Sequence, residues 1–178
     1  PTVGGNYGGV LASLNGDIRG LRVGLPVECF GEGLDPCVAQ RVQEVAKVLQ
    51  HRGAILTEVS IPELKQVIGA YYVLASAEAS SNLARYDGVK YGFRAEKYKN
   101  LTQMYENTRS QGFGKEAKLR ILLGTFVLSA GYYEAYYKKA LAVKEQVSQG
   151  LERAFAACDV LLTPVTPNTA PKLGESLA

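Results

Sequence analysis

Two short apolar runs joined by one well-marked helix constrain this chain more than any other feature. The run LRVGLP, residues 21–26, reads as a short strand ended by Pro26, which has no backbone N–H to give a ladder. Asp35 followed by Pro36 marks a helix start: a capping side chain, then proline at the first helical position. Val38, Val42, Val45 and Leu49 recur at helical spacing, and Gly53 stands where such a helix should end. AILTEVS, residues 54–60, then returns as a second strand. Strand, helix and strand in such close succession imply a parallel pair joined by a right-handed crossover. The fold class expected is therefore α/β.

The remainder is mostly helical. Ser60-Ile61-Pro62-Glu63 opens a second helix that carries EASSNLAR, and Asp87-Gly88 makes a turn. Arg94 to Asn100 reads as a loop before a short helix near Leu101 to Thr108. Gly112 and Gly114 break the chain ahead of a long helical region, about Lys115 to Ala157, bent or split at Gly131. Asp159 to Thr163 is a terminal strand, and Pro164, Pro167 and Pro171 force an extended exit. Residues 1–20 are a Gly-rich linker, and its glycines do not precede a helix as a phosphate-cradling loop requires. Residues 21–178 are expected to form one α/β domain, incomplete because no closing element follows the last strand. Such a fragment leaves strand edges and apolar surface uncovered. Pro1 in place of a starting Met fits a segment of a longer polypeptide, and the opening residues lack the pattern of a secretory signal.

Charge and composition exclude several classes. A net charge of +3 with dispersed basic residues gives no footprint for nucleic acid. The most apolar run, Ile121 to Tyr133, is shorter than the roughly 20 residues a bilayer span needs. Cys29, Cys37 and Cys158 form neither a disulfide framework nor a zinc pattern, and point to a reducing compartment. No carboxylates show metal-ligand spacing. The one histidine, His51, falls at the end of the first helix beside Arg52, so a Ser-His-Asp triad has no base. Ser80-Ser81 lie inside a helical stretch, not on a turn that would expose a nucleophile.

Four features remain as candidate sites. Leu64, Ile68, Tyr71, Ala75, Glu78 and Asn82 share one helical stripe that begins apolar and ends polar. That pattern fits a helix passing from core to solvent, and equally Glu78 and Asn82 at the rim of a polar cavity. Arg120 stands directly before the uncharged run ILLGTFVLSAGYY. A guanidinium there needs a partner, either an internal carboxylate or the carboxylate of a ligand, which its planar fork suits. Tyr132, Tyr133, Tyr136 and Tyr137 cover two adjacent helix faces, as packing surface or as a binding ladder. Lys138 and Lys139 beyond them read as a solvated face that could also meet a partner molecule.

Two blocks carry a resemblance. YYVLASAEASSNLARYDGVKYGFRAE (71–96) and TRSQGFGKEAKLRILLGTFVLSAGYYEAYYKKA (108–140) resemble the glutamine-hydrolysing components of tRNA-dependent amidotransferases, a branch of the amidase signature family. The resemblance implies part of an amidase-signature mixed sheet flanked by helices. It implies release of ammonia from glutamine for conversion of Glu-tRNA(Gln) or Asp-tRNA(Asn), by two serines and a lysine around a Gly/Ser-rich signature. This sequence contains no such signature, so it offers no catalytic residue and the chain alone is expected to be inactive. By the same resemblance, Tyr71 and Arg120 bind the substrate glutamine, with a further aspartate beyond Ala178. A tyrosine suits that task, since its ring packs on an aliphatic stem while its hydroxyl makes one directed bond. No cofactor is expected in this chain; ATP and Mg²⁺ serve the tRNA-binding partner subunit, with a small third subunit completing the complex. Mischarged tRNA is met indirectly, no membrane is involved, and the setting is the cytoplasm or an organelle matrix. The alternatives are a non-catalytic module that docks on the same partners, and a fragment of another amidase-signature hydrolase.

Overall fold

The computed structural model describes Gly9 and residues 14–174. The glycine-rich stretch expected as a linker therefore lies largely outside the described residues. Those residues form two compact units, one running to Pro62 and resuming at Leu151, the other Glu63–Gly150.

The first unit is built on the expected crossover. Strand β1 (Arg22–Pro26), helix α1 (Pro36–His51) and strand β2 (Ile55–Val59) follow in order. β1 and β2 pair in parallel, from Arg22 opposite Ile55 to Pro26 opposite Val59. A third strand, β3 (Val160–Leu161), pairs in parallel on the other side of β1, giving the order β2-β1-β3. The central strand is the buried one: Val23 is only 1% exposed, and Ile61 beyond β2 is fully buried. β3 is shorter than the stretch Asp159 to Thr163. Asp159 N and Leu162 N still donate to Arg22 and Gly24 carbonyls at 2.9 Å, but Pro164 has no N–H to carry the ladder further.

Helix α1 starts as its sequence dictates. The Asp35 carboxylate accepts the Cys37 N–H at 2.7 Å, with Pro36 at the first helical position. It ends at Gly53, whose φ of 97° is the left-handed conformation that glycine adopts without strain. Its inward line differs from the valine repeat. Ala46 is buried, with Val42 and Leu49 half-buried, whereas Val45 stands out in solvent. A small side chain at the closest approach lets a helix lie against strands, and the flanking larger residues straddle that point.

The second unit is helical: α2 (Val67–Leu83), α3 (Leu101–Gly112), α4 (Lys115–Leu128) and the start of α5 (Lys138–Ala157). Pro62–Gln66 is a 3₁₀ turn, so α2 begins later than the Ser60-to-Glu63 signal implies, with no side-chain cap at Gln66. α3 continues past Thr108 to Gly112. Its start is secured reciprocally: Asn100 accepts from Gln103 N at 2.9 Å, and the Gln103 amide oxygen accepts from Lys99 N at 2.7 Å. The long helical region is split as expected. α4 stops before Ser129, Gly131 takes φ 86°, and one π-helical turn (Tyr133–Tyr137) leads into α5.

The irregular segment between α2 and α3 is fastened by α3 side chains. Arg109 donates to the Leu83 and Tyr86 carbonyls, both at 3.1 Å, and so satisfies the end of α2. Buried Thr108 accepts the Ala95 N–H at 3.0 Å, and Asn107 donates to Lys97 O at 2.9 Å. Among the described residues no helix is long and apolar enough to cross a membrane.

A bidentate clasp ties β1 to β3. Arg22 Nη2 lies 2.6 Å from Asp159 Oδ1, and Arg22 N donates to Asp159 Oδ2 at 2.9 Å. The guanidinium first, and the backbone N–H second, hold the Asp159 carboxyl below the usual carboxylate range. A lowered folded-state pKa stabilises above the unfolded value and loses that contribution as pH falls through the folded one. Asp159→Asn should therefore unfold more readily than the parent at pH 7, by a small margin because the pair is exposed. In denaturant titrations that gap should close as the pH is taken below about 4.

Candidate substrate-binding site

α2 and α4 approach until their backbones almost touch. A Cβ built on Gly124 of α4 would lie 2.0 Å from the Ser76 carbonyl oxygen and 2.7 Å from the Ser80 Cβ, both on α2. Only glycine fits that crossing. The facing residues Ser76 and Ala77 are small and buried, and Val127, one turn beyond Gly124 on α4, is 2% exposed. Ser80 donates its hydroxyl to Ala77 O at 2.9 Å, and Thr125 donates to Ile121 O at 2.8 Å. These hydroxyls are consumed inside their own helices. The buried line of α2 thus runs through Ala70, Ser76 and Ala77. The stripe from Leu64 to Asn82 is not that line, and Ile68 within it is 67% exposed.

This helix pair brings Tyr71 and Arg120 together. The Tyr71 hydroxyl is the foremost influence raising the Arg120 pKa above the usual guanidinium range, and the Glu116 carboxylate is the next. Arg120 Nε donates to Glu116 Oε1 at 3.0 Å, four residues earlier on the same helix. Of the two partners open to Arg120, an internal carboxylate is present, and it takes the Nε donor. Tyr71 packs edge-on against Tyr72, with ring centroids 5.4 Å apart. It also lines a cleft of about 200 Å³ walled by Val67, Leu74, Val143 and Val147. Tyr71 is common to both: it neighbours the Arg120 guanidinium and lines the cleft, so a small anion with an aliphatic stem can meet the two through it.

Other sequence candidates go elsewhere. Asn82 donates to Glu78 at 3.4 Å and accepts from Arg85 at 3.2 Å, all three exposed toward the C-terminal end of α2. Tyr132 and Tyr136 cluster with Phe126, and Tyr133 stacks on Tyr137 at 5.0 Å. Lys138 pairs with Glu134 at 2.8 Å, and Lys139 is exposed. His51 is exposed at the end of α1. Among the described residues no group of three metal-binding side chains occurs. Two residues of the site were not singled out by the sequence. Glu116 had a signal, since a glutamate four residues before an arginine is a favoured helical pair. Gly124 carried no such signal and is the point of closest packing.

Known proteins share this arrangement of elements. The family model described as Amidase matches residues 8–178. A glutamyl-tRNA(Gln) amidotransferase chain of Lachnospira eligens is 54% identical over 91% of this chain and 34% of its own length. The protein of the same name from Thermoanaerobacter pseudethanolicus is 55% identical over 91% of this chain and 33% of its own. The chain thus spans about a third of the length of the curated relatives it matches. The crystal structure of the corresponding glutamyl-tRNA(Gln) amidotransferase chain from Thermotoga maritima aligns with a TM-score of 0.61 at 35% identity, covering 91% of this chain and 30% of that one. A crystal structure described as an amidase shares the fold at 24% identity and a TM-score of 0.64, covering 89% of this chain and 31% of that one.

The crossing at Gly124 gives a direct test. Alanine is the better helix former, yet its methyl would meet a backbone oxygen that cannot move aside independently. Gly124→Ala should lower unfolding stability by about 1–3 kcal/mol, as overpacking does. The same substitution at exposed Gly69 of α2, where a Cβ meets nothing within 4 Å, should instead raise the melting temperature slightly.

Proposed function

This chain belongs to the amidase family, and on that basis we propose that it is a segment of the glutamine-hydrolysing subunit of a tRNA-dependent amidotransferase. The observation that carries the proposal is Tyr71, which neighbours the Arg120 guanidinium and lines an apolar cleft. In this reading Arg120 receives the α-carboxylate of glutamine on its free edge. Tyr71 packs against the aliphatic stem and directs its hydroxyl to the same end. The names of the relatives support Glu-tRNA(Gln) as the acceptor whose amidation the ammonia serves.

The bond-breaking groups belong to other parts of the full-length protein. A serine oxygen there adds to the side-chain carbonyl of glutamine, the C–N bond breaks, and nitrogen leaves as ammonia with a transferred proton. Water then cleaves the serine ester to glutamate. This segment binds and orients glutamine and supplies packing surface. Leu119 and Leu122 of α4 are 58% and 68% exposed, and in this reading they form part of that packing surface. The partner subunit takes the ammonia and activates the tRNA-borne carboxylate with ATP and Mg²⁺, a small third subunit completes the assembly, and tRNA is met indirectly. The complex works in the cytoplasm or an organelle matrix.

The test is steady-state glutaminase kinetics on the full-length protein. Arg120→Ala should raise KM for glutamine about 10- to 100-fold, the range for losing a charge-assisted contact. Arg120→Lys should recover little, because a point charge does not replace the fork. Tyr71→Phe should have a smaller effect, of a few-fold. The chain as it stands should release no ammonia. An unchanged KM in Arg120→Ala, or ammonia release by the chain alone, would overturn the proposal.

A further inference from the structure

We propose that Glu116 is a positioning residue for substrate recognition, fixing the Arg120 guanidinium so that its outer edge faces the ligand. The inference rests on the reading of Arg120 as the α-carboxylate clamp. A guanidinium has five N–H donors in a rigid fork, one on Nε and four on the two terminal nitrogens. Glu116 takes the Nε donor at 3.0 Å. The Tyr71 hydroxyl neighbours the same guanidinium. Glu116 leaves the four terminal donors, and a bidentate carboxylate needs two.

Geometry makes the Nε contact the decisive one. The Nε–H and the terminal nitrogens lie in one plane, so an acceptor held at Nε sets the direction in which the far edge points. Glu116 is well placed to hold it: it sits in the first turn of α4, one helical turn before Arg120, with the glutamate on the N-terminal side. The carboxylate is 73% exposed, so the pair adds little to folding, and orientation is its main consequence. Without it the half-buried Arg120 regains rotamer freedom about its Nε, and ordering it again falls on the substrate.

The experiment compares Glu116→Gln with Glu116→Ala in the full-length protein, reading glutamine KM, kcat and melting temperature. Glutamine at 116 keeps an amide oxygen for Nε but loses the negative charge near the helix N-terminus. KM should follow the acceptor: about tenfold higher in Glu116→Ala, within about threefold of the parent in Glu116→Gln. Melting temperature should follow the charge and fall slightly and equally in both, with kcat close to that of the parent. An unchanged KM in Glu116→Ala, or an equal KM rise in both variants, would overturn the inference. Arg120→Ala separates the two levels. If it raises KM and Glu116→Ala does not, only the positioning role fails. If Arg120→Ala itself leaves KM unchanged, the reading of the clamp fails.

Discussion

Helices in globular proteins usually pack with axes about 8–10 Å apart, the distance set by the side chains between them. Where α2 meets α4 no side chain intervenes, because Gly124 faces the backbone of Ser76 directly. That near-contact fixes how the two helices cross. Arg120 lies one turn before Gly124 on α4, and Tyr71 lies on α2 just ahead of Ser76. The distance between phenol and guanidinium is therefore set by a backbone contact, and backbone contacts vary less than pairs of long exposed side chains. An additional methyl at the crossing would disturb the pair without touching either member.

The loop fastening of the second unit serves the same end. Residues 84–100 have no regular structure, yet their carbonyls and amides are met by Thr108, Asn107 and Arg109 from α3. Arg109 in particular satisfies the last turn of α2, which would otherwise present free carbonyls. The guanidinium also lies 5.0 Å from the Phe113 ring centroid, which holds it in place from the other side. The C-terminal end of α2 is thus anchored to a neighbouring helix, and its buried line faces α4.

What was legible in the sequence divides along physical lines. Asp35-Pro36, Gly53 and Gly131 act through their own backbone conformation or their own side-chain cap, and each appears where local chemistry puts it. Strand β3 was legible as an element but not in length, because its extent depends on how many donors and acceptors the partner strand can meet. The inward face of α2 was not legible. Spacing singles out a stripe with large apolar side chains, while the structure buries Ala70, Ser76 and Ala77. Hydropathy patterns assume that the most apolar side chains seek the core. Close helix crossings instead select the smallest ones and leave Tyr71 and Ile68 outside.

The same logic explains why Arg120 resisted an unambiguous reading. An arginine ahead of an apolar run needs a partner, and a carboxylate one turn away readily supplies one within a helix. Such a pair resembles ordinary surface chemistry, worth little in high dielectric. Its meaning changes once a second helix brings a phenol near the same guanidinium, because the cation then has neighbours on two helices. Sequence spacing along one helix cannot encode that second direction, since Tyr71 and Arg120 are far apart in the chain and meet only through the Gly124 crossing. An ion pair that contributes almost nothing to folding can still decide where a charge points, and a binding site depends on direction more than on the strength of any one contact.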